Sequence, residues 1–170
     1  MALFMLAVVA FAGGKVKYVF YFIGDGMGVN QVNGTETYLA AKQGIIGTTS
    51  LCFTQFPAVA LITTQSATNG VTDSAAGGTA LACASKTKNG VLGMLKDQTT
   101  SINSIAVWAQ QAGAAVGIST TASIDHATPA AFYAHVPQRS MYYEIGKQML
   151  ESGFDFFAAV SYTHLRAHET

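Results

Sequence analysis

The chain has 170 residues, half of them hydrophobic and only 11% charged, with 17 glycines; this composition excludes disordered and fibrous chains and fits one globular α/β-type domain. Nine basic and nine acidic residues give a formal net charge of zero, which leaves no basic stripe for nucleic acid and no polybasic patch for anionic lipid. The two cysteines, Cys52 and Cys83, lack the spacing of a zinc knuckle or a redox pair; they could bridge, but read as buried thiols that pack as small hydrophobes.

In chain order, residues 1–12 form an apolar run too short to span a bilayer, ending in Ala10-Phe11-Ala12 before two glycines. That pattern predicts a secretory signal, although no basic residue precedes it, and hence a periplasmic or extracellular protein without a membrane span; a buried strand is the other reading. The remaining chain, 13–159, reads as one domain. Residues 16–23 (VKYVFYFI) are a continuous β-branched and aromatic run, the pattern of a strand buried on both faces. A helix is predicted over 29–42 with Gly44 as its stop, and a short strand over 59–63. After a polar loop, 73–85 reads as a small-residue helix and 102–111 as another, with a third strand at 114–118, a helix at 140–152 ended by Gly153, and a last strand at 154–157. Strands alternating with helices predict an α/β fold with a doubly wound, mostly parallel sheet flanked by helices.

Chemistry-bearing residues gather where such folds place their ligand sites, at the junctions between strands or loops and helices. Asp25 sits in Gly24-Asp25-Gly26-Met27-Gly28, where glycines permit close approach and a carboxylate suits a divalent cation; a helix cap in a glycine-rich turn is the alternative. Ser74, in TDSAAGGTA at 72–80, stands at a helix start, where unpaired N–H groups favour an anion such as phosphate. No G-x-S-x-G elbow surrounds it, so a metal is a better activator than a Ser-His-Asp triad, while simple capping by Thr72, Asp73 or Ser74 remains open. Arg139 closes the segment 124–139. It is either a bidentate phosphate clamp or a solvated surface group. His135, in an apolar stretch, reads as structural.

The segments IGDGMG at 23–28, TDSAAGGTA at 72–80 and HATPAAFYAHVPQR at 126–139, in this order, resemble the alkaline phosphatase family. The resemblance implies a phosphate monoester hydrolase using two zinc ions and one magnesium ion. In it, Asp25 bridges a zinc and the magnesium, Ser74 binds that zinc and is phosphorylated, Thr128 is a magnesium ligand and Arg139 holds the phosphate oxygens. Asp73 orients Arg139, and His126 stands behind the ligands, at a position where members carry Asp or His. The partners implied are phosphate monoester substrates and, for the full-length parent, a second copy in a homodimer. The resemblance covers 15–159, whereas family members are much longer and take their remaining metal ligands from the later part. The chain is therefore expected to be an N-terminal fragment, inactive alone, with residues 160–170 foreign to the fold and His164, His168 and Glu169 outside any ligand set. The alternatives are a related metal-dependent phosphodiesterase or phosphonate hydrolase, and a non-catalytic phosphate- or metal-binding α/β domain.

Overall fold

The computed structural model describes residues 16–160. The expected secretory signal at 1–12 lies outside the described residues, as does all but Val160 of the expected foreign tail at 160–170. The chain divides into two units between Thr49 and Ser50.

In the first unit, helix α1 (Val29–Lys42) has the predicted bounds. Its N-cap is Gly28, whose N–H donates to Gln31 Oε1 at 3.0 Å; a polar side chain three residues in thus serves an amide that the helix ladder leaves unpaired. Asp25 is therefore not the cap. At the other end, Gly44 takes φ +69, and its N–H reaches Ala41 O at 3.0 Å, a left-handed exit that glycine adopts without a Cβ penalty. The predicted strand at 16–23 does not form: these residues carry no ladder, and Val16, Val19, Phe20 and Phe22 are exposed. Hydrophobic pattern signals a wish to be buried, but a strand exists only with a neighbour that takes up its N–H and C=O groups.

The second unit carries helices α2 (Ser74–Cys83), α3 (Ile105–Gln111), α4 (Ala127–Ala130) and α5 (Tyr142–Glu151), with strands β1 (Gly117–Thr120) and β2 (Phe156–Ala159). The strands pair in parallel, Gly117 opposite Phe156 through Thr120 opposite Ala159. Parallel strands need a long crossover, and here α4 and α5 supply it, as an α/β chain requires. The pair is two to three residues later in sequence than predicted at its first strand and two at its second. Upstream of the ladder, Asp155 uses its carboxylate to take the Val116 N–H at 2.8 Å, while its own N–H donates to Val116 O at 2.9 Å. The predicted strand at 59–63 is also absent, leaving Val59, Leu61 and Ile62 exposed.

Helix α3 begins at Ile105 rather than 102 because Ser104 is its cap. The Ser104 hydroxyl accepts from Val107 N at 3.2 Å and donates to Phe132 O at 2.6 Å, tying the helix start to the segment after α4. The core around this junction contains Val91, Leu92, Ala127, Ala130, Ala134, Val136 and Ile145, all at most 2% exposed. Leu92 and Val136 exchange both backbone hydrogen bonds at 3.0 Å. Cys83 is buried as expected, but Cys52, at the edge of the 3-10 turn Phe53–Gln55, is exposed; neither is in a disulfide.

Burial pushes the Cys83 thiol up to about 11 from 9.0. Burial, helped by the Asp125 charge, also raises the Tyr133 phenol above its ordinary 10.0. Both groups hold their protons more firmly folded than unfolded, so their contribution is intact below the unfolded values and is lost as pH rises through them. The contribution of these two groups to stability is expected to be flat up to about pH 9 and to fall beyond it. Urea midpoints at pH 8 and 10.5 check this; Tyr133→Phe should flatten the alkaline slope, and an unchanged slope in both Tyr133→Phe and Cys83→Ala would refute the assignment.

Candidate active site

The site is built on the start of α2. Asp73 adopts an extended backbone and caps the helix, its Oδ1 accepting from Ala76 N at 2.9 Å. That leaves Ser74 as the first helical residue of a ten-residue helix, at the end where the backbone dipoles are positive. Around it the helix is made of small buried residues, Ala75, Ala76, Gly78 and Thr79, which bring α4 in close. A Cβ on Gly78 would lie 3.2 Å from Ala131 Cβ and 3.4 Å from Thr128 Cα, so the absence of a side chain there sets the distance at which Thr128 passes α2.

The other oxygen of Asp73 accepts two more hydrogen bonds, from Gly90 N at 3.0 Å and from Arg139 Nη1 at 3.2 Å. The second arm of the guanidinium, Nη2, lies 3.2 Å from His126 Nε2. Arginine has only donors, so in this contact His126 Nε2 is the acceptor. Arg139 is also fixed through its backbone, its N–H donating to Gly90 O at 2.7 Å. The Asp73–Arg139 pair is partly exposed, with side chains 25% and 30% accessible, and such pairs contribute about 0–1 kcal/mol once solvent screening is counted. Its effect is geometric: two anchors set the plane of a guanidinium that has further N–H groups for an anion.

Of the residues singled out in the sequence, Asp73, His126 and Arg139 are brought into one hydrogen-bonded group, Ser74 adjoins it in the chain, and Thr128 lies on the helix packed against α2. Asp25 belongs to the first unit, in a turn closed by Met27 N–H to Gly24 O at 3.1 Å with Gly26 at φ +72. His135 is structural, as read: its Nδ1 lies 2.7 Å from Gly93 O, and its backbone N–H and C=O both pair with the Gln148 amide. Asn89 and Gly90 were not singled out, although the Asn-Gly dipeptide is a turn signal.

The donor set bears on metals. Ser74 and Thr128 carry hydroxyls and Asp25, in the other unit, carries a carboxylate, each an oxygen donor of the kind that suits magnesium. Among the described residues no group of three or more His, Cys, Asp or Glu side chains is arranged to hold an ion. No helix among the described residues is long and apolar enough to cross a membrane.

Comparison with known proteins places these features in a family. A family model described as alkaline phosphatase matches residues 16–161. Tissue-nonspecific alkaline phosphatase of Mus musculus is 38% identical over 136 residues, 74% of this chain and 26% of that protein. A membrane-bound alkaline phosphatase of Bombyx mori is 36% identical over 85% of this chain and 28% of its own length. Among solved structures, alkaline phosphatase from the Antarctic bacterium TAB5 superposes with a TM-score of 0.67 at 38% identity, covering 78% of this chain and 36% of that one; a variant of it is described with magnesium bound. The cold-active enzyme of a psychrophilic Shewanella gives a TM-score of 0.72 at 32% identity over 79% of this chain and 33% of that one. The α/β fold expected from the sequence is thus that of these structures. The chain spans about a quarter of the curated relatives' length.

Proposed function

The chain belongs to the alkaline phosphatase family, and from that membership we propose that the protein hydrolyses phosphate monoesters through a phosphoserine at Ser74. The observation that carries the reading is the guanidinium of Arg139, held between Asp73 and His126 one residue from the start of α2. A dianionic phosphoryl group is met there by the positive end of a helix and by a fork of N–H donors, the two features that recognise tetrahedral oxyanions.

In this reading Ser74 Oγ attacks phosphorus in line with the ester bond, the phosphorus–oxygen bond to the alcohol breaks, and the alcohol leaves carrying a proton. Water then attacks the phosphoserine, releasing inorganic phosphate and restoring the hydroxyl. Through both steps Arg139 holds the equatorial oxygens, where charge accumulates, while Asp73 and His126 hold Arg139. Asp25, Ser74 and Thr128 are the residues of this chain that would contribute to binding zinc and magnesium. When bound, these ions ease ionisation of the attacking hydroxyl and neutralise phosphoryl charge. Export, and dimerisation of the longer protein, belong to the same reading.

The test is acid-quenched turnover of an aryl phosphate by a family-length protein carrying this chain, with zinc and magnesium supplied, followed by mass spectrometry of the peptide carrying residue 74. Phosphate on Ser74, absent from Ser74→Ala along with turnover, is the expected result. Turnover with no phosphate on Ser74, or undiminished turnover by Ser74→Ala, would overturn the nucleophile. A protein that neither turns over ester nor binds inorganic phosphate would overturn the function.

A further inference from the structure

We infer that Asn89 is a positioning residue of the phosphate site, acting with Gly90 to lock the Ser74 turn to Arg139; this rests on the reading of Ser74 and Arg139 given above. The dipeptide makes four hydrogen bonds to the two halves of the site. Asn89 Nδ2 donates to Val71 O at 3.1 Å, and Asn89 Oδ1 accepts from Asp73 N at 3.4 Å. Gly90 N donates to Asp73 Oδ2 at 3.0 Å, and Gly90 O accepts from Arg139 N at 2.7 Å.

The chemistry of the amide matters. Val71 and Asp73 present a carbonyl and an N–H on the same stretch of backbone just before α2, and a carboxamide is the side-chain group that answers both, one as donor and one as acceptor. An aspartate at 89 would lose the donor, an alanine both. Gly90 in turn needs φ +88 to aim its N–H at Asp73 and its carbonyl at Arg139, a conformation that L side chains adopt only with strain. Asn89 therefore fixes the backbone into which Ser74 is set, and Gly90 passes that position to both the carboxylate and the backbone of the Asp73–Arg139 pair. Neither has an acid, base or nucleophile to offer, so their effect on the reaction runs entirely through Ser74 and Arg139.

The experiment is a double-mutant cycle on inorganic phosphate binding by the full chain with zinc and magnesium, using Asn89→Ala, Arg139→Ala and the double variant. Thermal midpoints and the Arg139 Nε–H resonance in nitrogen-15 spectra are recorded alongside. Asn89→Ala is expected to weaken phosphate about tenfold, the size of one misaligned hydrogen bond to the charged phosphate, and to shift the Arg139 resonance. The double variant should lose clearly less than a further tenfold relative to Arg139→Ala, because the part of the Asn89 effect that passes through the arginine is already gone. Unchanged affinity in Asn89→Ala, or additive losses in the double variant, would overturn the inference. If the parent chain binds phosphate no better than Arg139→Ala, the phosphate-clamp reading fails on its own; the Arg139 resonance then decides the positioning, upholding it if Asn89→Ala moves the signal and refuting it if not. Should Asn89→Ala fail to fold, Asn89→Ser, a residue that turns accept and that is too short to bridge Val71 and Asp73, replaces it in the same cycle.

Discussion

Gly93→Ala is expected to cost about 2–5 kcal/mol of stability, adding the penalty of a left-handed backbone for an L residue to that of an overfilled core. Gly93 has φ +58, and a Cβ built on it would lie 2.2 Å from Ala134 O and 2.7 Å from His135 Nδ1. The obstacle is backbone, and it cannot retreat. Ala134 N–H is held by Ala130 O at 2.7 Å, Val136 pairs with Leu92 at 3.0 Å, and His135 is clamped by Gln148. Gly93 is itself held, its N–H on Thr79 Oγ1 at 3.1 Å and its carbonyl accepting from Ile102 N at 2.8 Å. Against a typical domain stability of about 5–15 kcal/mol, the methyl group removes a large share. Gly146→Ala is the control: it lies within α5 with open space around it, and alanine there should add about 0.5–1 kcal/mol. Urea midpoints of the two variants should therefore move in opposite directions. A Gly93→Ala midpoint equal to that of the parent would mean that the 90–93 and 134–136 segments are not packed as described.

The contrast between these two glycines also shows what sequence could and could not convey. Helix α1 was legible to the residue, and α2 to within two residues, because local signals such as Gly44 and Asp73 act within one turn. The start of α3 was not, because Ile102 looked periodic while its N–H was committed to Gly93 O, leaving Ser104 to cap. Strand boundaries moved for the same reason: the Val116–Asp155 contact that opens the parallel ladder joins residues 39 apart. In the site, the types of Ser74, Asp73, His126 and Arg139 were legible, and their combination rested on family resemblance. Asp73 and Arg139 are 66 positions apart, a separation that no spacing rule connects. Asn89 left no chemical signature at all, because a carboxamide reading backbone groups in a neighbouring loop looks in sequence like any turn asparagine.

Replacing Arg139 should separate function from stability more cleanly than any other change in the chain. Its ion pair with Asp73 is partly exposed, so Arg139→Ala should move the urea midpoint by no more than about 1 kcal/mol. Loss of a preorganised donor to developing phosphoryl charge, by contrast, should lower kcat/KM of a family-length protein carrying this chain by about 10²–10³-fold for a phosphate monoester. Arg139→Lys tests why arginine is there. An ammonium keeps the charge but cannot reach Asp73 and His126 with two rigid arms while presenting further N–H groups to an anion. It should therefore recover only part of the loss. Activity and urea midpoint measured on the same three proteins decide the matter: an Arg139→Ala variant within threefold of the parent would remove the clamp from the mechanism. Full recovery by lysine would show instead that positive charge, and not the guanidinium plane set by Asp73 and His126, is what the phosphoryl group meets.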